Sequence, residues 1–307
     1  MIKSRTLGLI NNTPLVALED LIADKIIYAK LESVQPGGSV KDRAAYQIIK
    51  DAYQKGLLRK GQLVVEMTSG NMGAGLAVVC KQVGNPFVAV MSEGNSLERR
   101  KILKALGADI LLTKQVDGTN GMVTGKDIEY ASEVAREYAK INGAFYVDQF
   151  NNPSSILAHY NTTGPEILKD LPEIEAFVAA VGSGGTFIGT SKFLKEKNPN
   201  LKCVAVEPEN AAILKTGIVK SSRHIIQGTG YSIVPPHWNK DLADDIITIS
   251  DNEAREMTIK LSREHGIFVG YSAGANTAAS IKFLQKNPEI NNIVTILCDL
   301  GYKYSDL

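Results

Sequence analysis

Short apolar, β-rich runs alternate with helix-like segments along most of this chain, and this alternation constrains the fold more than any other feature. Runs such as QLVVEM (62–67) and FVAVMS (87–92) are largely apolar on both faces, which is typical of parallel strands covered by helices. Helix-like segments between such runs often end in Gly or Asn-Pro, which are stop signals. The sequence therefore predicts an α/β protein. The predicted strands cover residues 26–32, 62–67, 87–92, 109–113, 145–149, 176–182, 202–208, 245–250 and 292–298.

Length and charge narrow the functional class. The 307 residues are enough for two lobes, and 34 basic against 33 acidic side chains give a net charge of +1. This balance favours neither a nucleic-acid partner nor an anionic membrane surface. The sequence shows no secretory signal and no apolar run of the ~20 residues that a membrane span needs. We therefore expect a cytoplasmic protein that binds no nucleic acid and no membrane.

The cysteine pattern agrees with the expected cytoplasmic compartment, which is reducing. Cys80, Cys203 and Cys298 are far apart, odd in number and set in apolar surroundings. This pattern predicts reduced core cysteines, not disulfides or a metal site.

Glycine-rich and polar junctions follow several predicted strands, where open α/β sheets bind their ligands. The loop GSGGT (182–186) follows the strand AFVAAV and precedes a helix. Its N–H groups and the helix start would suit a phosphate. The alternative is a tight turn that needs glycine for conformational reasons alone.

Two further junctions carry hydrogen-bonding side chains. In TSGNMGAG (68–75), the side chains of Thr68, Ser69 and Asn71 meet a helix start and would suit a carboxylate. The alternative is simple N-capping by Thr68 or Ser69, which leaves Asn71 unexplained. In GYSAGAN (270–276), Ser272 is either a helix cap or a neutral hydroxyl offered to a ligand.

Lys41 stands in QPGGSVKDRAAY (35–46), where two glycines lead into a predicted helix. A lysine gains nothing from the partial positive charge of a helix start. It is either an ordinary surface residue, as the neighbouring Asp42–Arg43 pair suggests, or a group that a ligand engages. A phosphorylated aldehyde cofactor would use the phosphate loop, the carboxylate junction, the neutral hydroxyl and the lysine together.

Motifs along nearly the whole chain carry a family resemblance. They are NNTPLV, AKLESVQPGGSVKDR, VVEMTSGNMGAGLA, SLERRKILKALGA, QFNNP, VGSGGTFIGT, VAVEP and GYSAGA, in this order. With them the chain resembles the cysteine synthase and cystathionine β-synthase family of pyridoxal-phosphate enzymes, the fold type II group. The resemblance implies a two-lobed α/β fold with open, mostly parallel twisted sheets flanked by helices, and usually a homodimer. It also implies a large cofactor-binding domain (1–37 and 148–307) and a small mobile domain (38–147) that closes over the substrate.

The resemblance assigns a role to each candidate residue where the motifs match. Lys41 would form a Schiff base with pyridoxal 5'-phosphate and, once released, take the Cα proton of the substrate. Asn71 would bind the ring hydroxyl oxygen, and Ser272 the pyridine nitrogen. The phosphate would be held by Gly182, Ser183, Gly184, Gly185 and Thr186. The substrate carboxylate would be held by Thr68, Ser69, Asn71 and Gln149.

Two segments depart from the family pattern. Met72 replaces the usual second threonine of TSGNTG. Either the thioether reshapes the pocket, or backbone contacts bind the carboxylate without the threonine hydroxyl. The segment GTGYSIVPPHW, which begins at Gly228, has Tyr231 and Ser232 where cysteine synthases have small residues. This polar pair would lie near Cβ and orient the nucleophile. His237 and Trp238, which follow, either line an entrance or pack the loop.

The implied chemistry leaves the nucleophile open. Removal of the Cα proton and loss of the β-group give an aminoacrylate, to which a nucleophile adds at Cβ. The first hypothesis is a cysteine synthase that uses O-acetylserine and sulfide. The second is an enzyme that consumes L-cysteine and releases sulfide, giving serine, lanthionine, cystathionine or pyruvate, and Tyr231 favours it. A non-catalytic cofactor-binding protein is a remote third, which the intact candidate residues oppose.

Overall fold

The computed structural model describes residues 6–119, 123–304 and 307, and it confirms the predicted α/β class. The chain forms two compact units. Unit one contains Gln35–Ser155 and the described residues up to Ile10, and unit two contains Asn11–Val34 and Ile156–Leu307. The expected division into 1–37 with 148–307 and 38–147 stays a prediction. Its ranges include residues 1–5, 120–122 and 305–306, which lie outside the described residues.

The elements alternate as the sequence indicates. The strands are β1 (Leu15–Ile22), β2 (Lys25–Leu31), β3 (Val64–Met67), β4 (Phe87–Ser92), β5 (Asp109–Thr113), β6 (Phe145–Tyr146), β7 (Ala176–Ala180), β8 (Lys202–Pro208), β9 (Asp245–Ile249) and β10 (Asn292–Leu297). The helices are α1 (Lys41–Gln54), α2 (Asn71–Val83), α3 (Leu97–Ala105), α4 (Gly125–Ile141), α5 (Ser154–Ala158), α6 (Gly164–Asp170), α7 (Gly185–Lys197), α8 (Ile213–Thr216), α9 (Asp251–His265) and α10 (Tyr271–Lys286). A π-helical turn, His159–Thr163, connects α5 to α6.

Unit one is built on a parallel sheet of order β5-β4-β3-β6. All six residues of β4 are buried, which explains its unbroken apolar run. The helix α4 begins with a capping box in which Thr124 and Asp127 exchange side-chain and backbone hydrogen bonds. Because β3 and β6 are parallel neighbours in this sheet, their carboxyl ends lie side by side.

Unit two is built on a sheet of order β1-β2-β10-β7-β8-β9. All its strand pairs are parallel except β1 with β2, which form an antiparallel pair. The sequence did not predict β1. Its run LVALEDLI includes a charged pair, and the register breaks between Leu18 and Ile22, where Asp20 has a φ of 61°. An irregular edge strand of this kind carries little of the apolar pattern by which strands are recognised.

The cysteines lie largely as expected. Cys80 and Cys203 are buried free thiols and Cys298 is a half-buried one. Burial raises the pKa of Cys80 to about 12 and that of Cys203 to about 11, so both stay protonated at neutral pH. None of the helices within the described ranges combines the length and apolarity needed to cross a membrane.

Candidate functional site

Lys41 is the first residue of α1, and it is half-buried. Its neighbours Asp42 and Arg43 are 0% and 1% exposed, so the expectation that they form ordinary surface is wrong. The carboxylate of Asp42 accepts the N–H of Gly37 and thereby fixes the glycine turn that precedes the helix. Lys41 is thus presented by a rigid helix start and not by a loose surface loop.

The start of α2 packs closely on the start of α1. A Cβ added to Gly75 would lie 3.2 Å from both Cα of Asp42 and Cβ of Ala45. Glycine at this position allows the two helices to approach. The first turn of α2, which begins at Asn71, is therefore held beside the helix that begins with Lys41.

The loop before α2 is held by hydrogen bonds from both sides. Thr68, which is 6% exposed, accepts the N–H of Gly73 in the first turn of α2 at 3.2 Å, but the N-cap position itself is Gly70, so neither Thr68 nor Ser69 is the N-cap residue. Ser69 accepts a hydrogen bond of 3.1 Å from Nη1 of Arg99 on α3. The hydrogen bond from Gly73 uses only an acceptor of Thr68, so its O–H stays available as a donor.

Met72 is 3% exposed and belongs to the apolar core of unit one. This burial favours the interpretation in which the thioether packs inward while the backbone at position 72 serves the loop. A contribution of Met72 to substrate choice stays a prediction.

Gln149 follows β6 and is held by Glu66, the third residue of β3. Its Nε2 donates to Oε1 of Glu66 at 3.1 Å, while the N–H of Asp148 donates to Oε2 at 2.9 Å. Asp148 has a φ of 52°, so the chain leaves the extended conformation before the end of the predicted strand 145–149. The strand prediction overran because a side chain replaces the backbone ladder here.

Unit two carries the glycine loop between β7 and α7. A Cβ on Gly182 would lie 2.1 Å from the carbonyl oxygen of Gly228, and Gly184 has a φ of 93°. Both glycines are therefore required by the turn itself, as the alternative interpretation expects. The first N–H groups of α7 have no partner within the helix, so the loop also fits an anion.

Thr186, in the first turn of α7, contacts a buried histidine. Its Oγ1 lies 3.2 Å from Nε2 of His159, and Nδ1 of the same ring lies 2.9 Å from Oγ1 of Thr163. Sequence analysis missed His159, Glu66 and Arg99, because each acts on a residue that is 27 to 83 positions away in the chain.

Ser272 is the second residue of α10 and is 5% exposed. The cap position is occupied by Gly270, so the alternative in which Ser272 is the helix cap is wrong. Its neutral hydroxyl is held inside the first turn of a long helix, where it can meet a hydrogen-bonding ligand.

The segment from Gly228 carries an unusual serine. Ser232 has a φ of 62°, and its Oγ is buried without a hydrogen-bond partner among the described residues. The ring of Tyr231 lies close to Gly182, 3.7 Å from the position a Cβ would take there. Trp238 stacks on Phe187 with 5.8 Å between ring centroids, which supports a packing role for that end of the segment.

A family model described as "Pyridoxal-phosphate dependent enzyme" matches residues 6–299. This chain belongs to that family. The motifs that predicted the cysteine synthase and cystathionine β-synthase group are thereby confirmed, and pyridoxal 5'-phosphate is the cofactor.

Relatives of this pyridoxal-phosphate enzyme match it over almost its full length. A cysteine synthase of Staphylococcus aureus strain Mu50 is 38% identical over 300 residues, 96% of this chain and 93% of the relative. An O-ureido-L-serine synthase of Streptomyces lavendulae is 38% identical over 301 residues, 97% of this chain and 90% of the relative. The crystal structure of a hydrogen sulfide-producing enzyme from Fusobacterium nucleatum has a TM-score of 0.91 at 37% identity, covering 99% of this chain and 98% of that one.

The residues present fit the cofactor group by group. The tight turn at Gly182 and Gly184 leaves no room for a side chain, and the N–H groups that begin α7 have no partner within the helix, as a phosphate site requires. The hydroxyl of Ser272 would suit a ring nitrogen, and Lys41 carries the primary amine that a Schiff base would need; both assignments stay predictions.

Proposed function

We propose that this enzyme catalyses β-replacement on an activated serine, in the manner of a cysteine synthase that converts O-acetyl-L-serine and sulfide to L-cysteine and acetate. The observation that carries the proposal is the buried hydroxyl of Ser272 inside α10. A serine, unlike an aspartate, does not force a pyridine nitrogen to be protonated. That favours prompt loss of a β-substituent over transamination. The cysteine synthase and O-ureido-L-serine synthase relatives act on serine derivatives, which supports the same chemistry.

The cofactor, when bound, supplies the electron sink that stabilises negative charge at Cα. Lys41 takes the proton from Cα of the substrate, and the acetate departs from Cβ with the bonding electron pair. The sulfur nucleophile then forms the new bond at Cβ, and Lys41 returns the proton to Cα. One proton is taken and one returned, so Lys41 ends the cycle as it began.

The supporting residues have separate tasks in this proposal. Asn71 binds the ring hydroxyl oxygen, and Ser272 the ring nitrogen. The substrate carboxylate is bound by Thr68, Ser69, Asn71, Gln149 and the backbone at Met72. The phosphate is bound by Gly182, Ser183, Gly184, Gly185 and Thr186.

A second candidate reaction, consumption of L-cysteine with release of sulfide, has one observation in its favour. The buried Oγ of Ser232 lacks a partner within the described part of the chain, and it adjoins Tyr231. A polar pair at this place would suit a nucleophile that carries its own hydrogen-bonding groups. The structure of the sulfide-producing enzyme named above is compatible with this alternative.

Product analysis separates the two reactions. The cofactor-loaded protein is incubated with O-acetyl-L-serine plus sulfide, and separately with L-cysteine alone, and amino acids, sulfide and pyruvate are measured. Cysteine formation in the first mixture without sulfide release in the second supports the proposal. Rapid sulfide release with lanthionine, serine or pyruvate in the second mixture contradicts it and identifies a cysteine-consuming enzyme.

We also propose that the enzyme is a cytoplasmic homodimer with a mobile domain at 38–147. Free thiols at Cys80, Cys203 and Cys298 support a reducing compartment. The molar mass from light scattering tests the dimer, because the chain has a mass of 33.2 kDa. Limited proteolysis with and without an amino acid tests the domain motion.

A further inference from the structure

Glu66 is a buried carboxyl at the carboxyl end of β3, two residues before Thr68. It is 1% exposed, and it accepts hydrogen bonds from Gln149 Nε2 at 3.1 Å and from the N–H of Asp148 at 2.9 Å. A carboxyl group is costly to bury, and such groups are kept where they hold specific donors. Its two oxygens take one side-chain donor and one backbone donor of the same turn.

The backbone explains why this carboxyl sets the direction of Gln149. The ladder between β3 and β6 runs to the hydrogen bond from Val147 N–H to Val65 O, at 3.0 Å. At Asp148 the φ becomes 52°, and Glu66 takes the N–H that the strand no longer pairs. One side chain therefore fixes both the turn and the carboxamide that follows it.

We propose that Glu66 is a positioning residue that orients Gln149 toward the α-carboxylate of the amino-acid substrate, and that ionisation of Glu66 weakens substrate binding. The inference rests on the proposed function, because Gln149 as a carboxylate ligand is part of that proposal. With Nε2 tied to Glu66 through one hydrogen, the second N–H and the carbonyl of Gln149 have a fixed direction. A freely rotating carboxamide would lose part of its binding energy in being ordered.

The surroundings of Glu66 explain why substrate binding should depend on the charge of this carboxyl group. Burial raises the pKa of Glu66, the hydrogen bonds from Gln149 and Asp148 lower it, and the carboxylate of Asp148 adds a smaller increase, so that the pKa is about 8. Among the described residues, Tyr146 on β6 also interacts with Glu66, and Arg136 of α4 contacts Tyr146 in turn. A neutral Glu66 still accepts both hydrogen bonds, but an ionised one adds negative charge behind the residue that receives an anion.

The test measures amino-acid binding to the cofactor-loaded enzyme as a function of pH. The probe is L-serine, whose hydroxyl is a poor leaving group, and the readout is the change in visible absorption of the bound cofactor. With a pKa of about 8, the neutral fraction of Glu66 falls from about nine-tenths at about pH 7 to about one-tenth at about pH 9. We expect the dissociation constant of the wild type, divided by that of Glu66→Gln, to rise about tenfold over this range.

Two controls separate positioning from a merely structural role. Asp51→Asn changes another buried carboxyl of unit one, which accepts hydrogen bonds from Ser154 Oγ and Gln47 Nε2, both at 2.6 Å. It should leave the pH profile of L-serine binding unchanged. L-Serinamide lacks the carboxylate, so its dissociation constant for the wild type should not show the rise with pH that we expect for L-serine.

Each outcome decides the proposal. The proposal is overturned if the dissociation constant for L-serine changes with pH in the same way in the wild type and in Glu66→Gln. It is also overturned if the binding of L-serinamide to the wild type weakens with pH as steeply as that of L-serine. If Glu66→Gln does not fold, the comparison of L-serine with L-serinamide on the wild type decides alone. Equal affinity for the two ligands at all pH values refutes carboxylate binding by the loop itself, which is a failure of the proposed function and of this inference together.

Discussion

The hydroxyl of Thr186 and the buried ring of His159 are in hydrogen-bond contact, with 3.2 Å between Oγ1 and Nε2. Nδ1 of the same ring is 2.9 Å from Oγ1 of Thr163, and His159 is 1% exposed. In the tautomer with hydrogen on Nε2, Thr163 donates to the ring and the ring donates to Thr186. The O–H of Thr186 is then available for an anion at the start of α7.

This relay predicts different outcomes for two substitutions of His159. Glutamine can place an amide N–H near the position of Nε2, whereas leucine offers no donor and leaves both threonines without the ring. We expect His159→Leu to bind pyridoxal 5'-phosphate roughly five- to tenfold more weakly, equivalent to about 1 kcal/mol, and His159→Gln to keep most of the affinity. Titration of the cofactor into apoenzyme, followed by absorption, measures both. Equal losses in the two variants would show that the ring acts only by packing.

Lys41→Ala should keep the fold and lose turnover by at least about a hundredfold, because it removes the amine to which we assign the transfer of the Cα proton. Circular dichroism checks the fold, and product formation from O-acetyl-L-serine and sulfide checks the activity. Lys50→Ala removes an exposed lysine of the same helix and should retain activity. Substantial turnover by Lys41→Ala would refute the proposed mechanism.

Glu66 also predicts a dependence of stability on pH. Burial raises its pKa from an ordinary value of 4.5 to about 8, so the folded state holds a proton that the unfolded state releases. The associated stability is fully present below the unfolded pKa and is lost as pH rises through the folded pKa. The free energy of unfolding of the wild type, relative to Glu66→Gln, should therefore fall between about pH 5 and about pH 9.

Urea denaturation at several pH values, monitored by circular dichroism, measures this difference. Asp51→Asn serves as the matched control, and its difference from the wild type should not follow the same course. A constant difference between the wild type and Glu66→Gln across the range would mean that Glu66 titrates normally.

Gly182→Ala should destabilise unit two, because its Cβ would lie 2.1 Å from the carbonyl oxygen of Gly228 and the backbone must shift. We expect a loss of about 1–3 kcal/mol in the free energy of unfolding, together with weaker cofactor binding. Gly125→Ala, at a helix position where a Cβ would meet nothing within 4 Å, is the control. Thermal denaturation and cofactor titration give the two readouts, and a Gly182→Ala variant as stable as Gly125→Ala would contradict the contact.

The sequence predicted best those parts whose cause is local. The strands at 87–92 and 109–113 agree with β4 and β5 residue for residue, because both are continuous apolar or β-branched runs, although β4 is buried throughout and β5 is a partly exposed edge strand. β1 was missed since its pattern is broken by charged residues and by an irregular register. The helix starts at Lys41, Asn71, Gly185 and Tyr271 lie at the predicted junctions.

Contacts between distant residues were beyond the sequence. The burial of Asp42 and Arg43 could not be inferred from two charged letters beside a lysine. The pairing of Glu66 with Gln149 joins positions that are 83 residues apart and becomes visible only when β3 and β6 are adjacent. Local patterns located the candidate binding residues, whereas the side chains that hold those residues in place could be identified only from the folded structure.

The carbonyl of Gly228 occupies the space where any side chain at position 182 would lie. The turn at Gly182 and the turn at Gly228 therefore cannot shift independently, although 46 positions separate them in the printed sequence. A substitution at Tyr231 or Ser232 leaves the carbonyl of Gly228 in place, but an insertion or deletion before Gly228 would displace the turn at Gly182. If the Gly182 turn binds the cofactor phosphate as proposed, a change of loop length before Gly228 would weaken cofactor binding, whereas a substitution at Tyr231 or Ser232 would not need to.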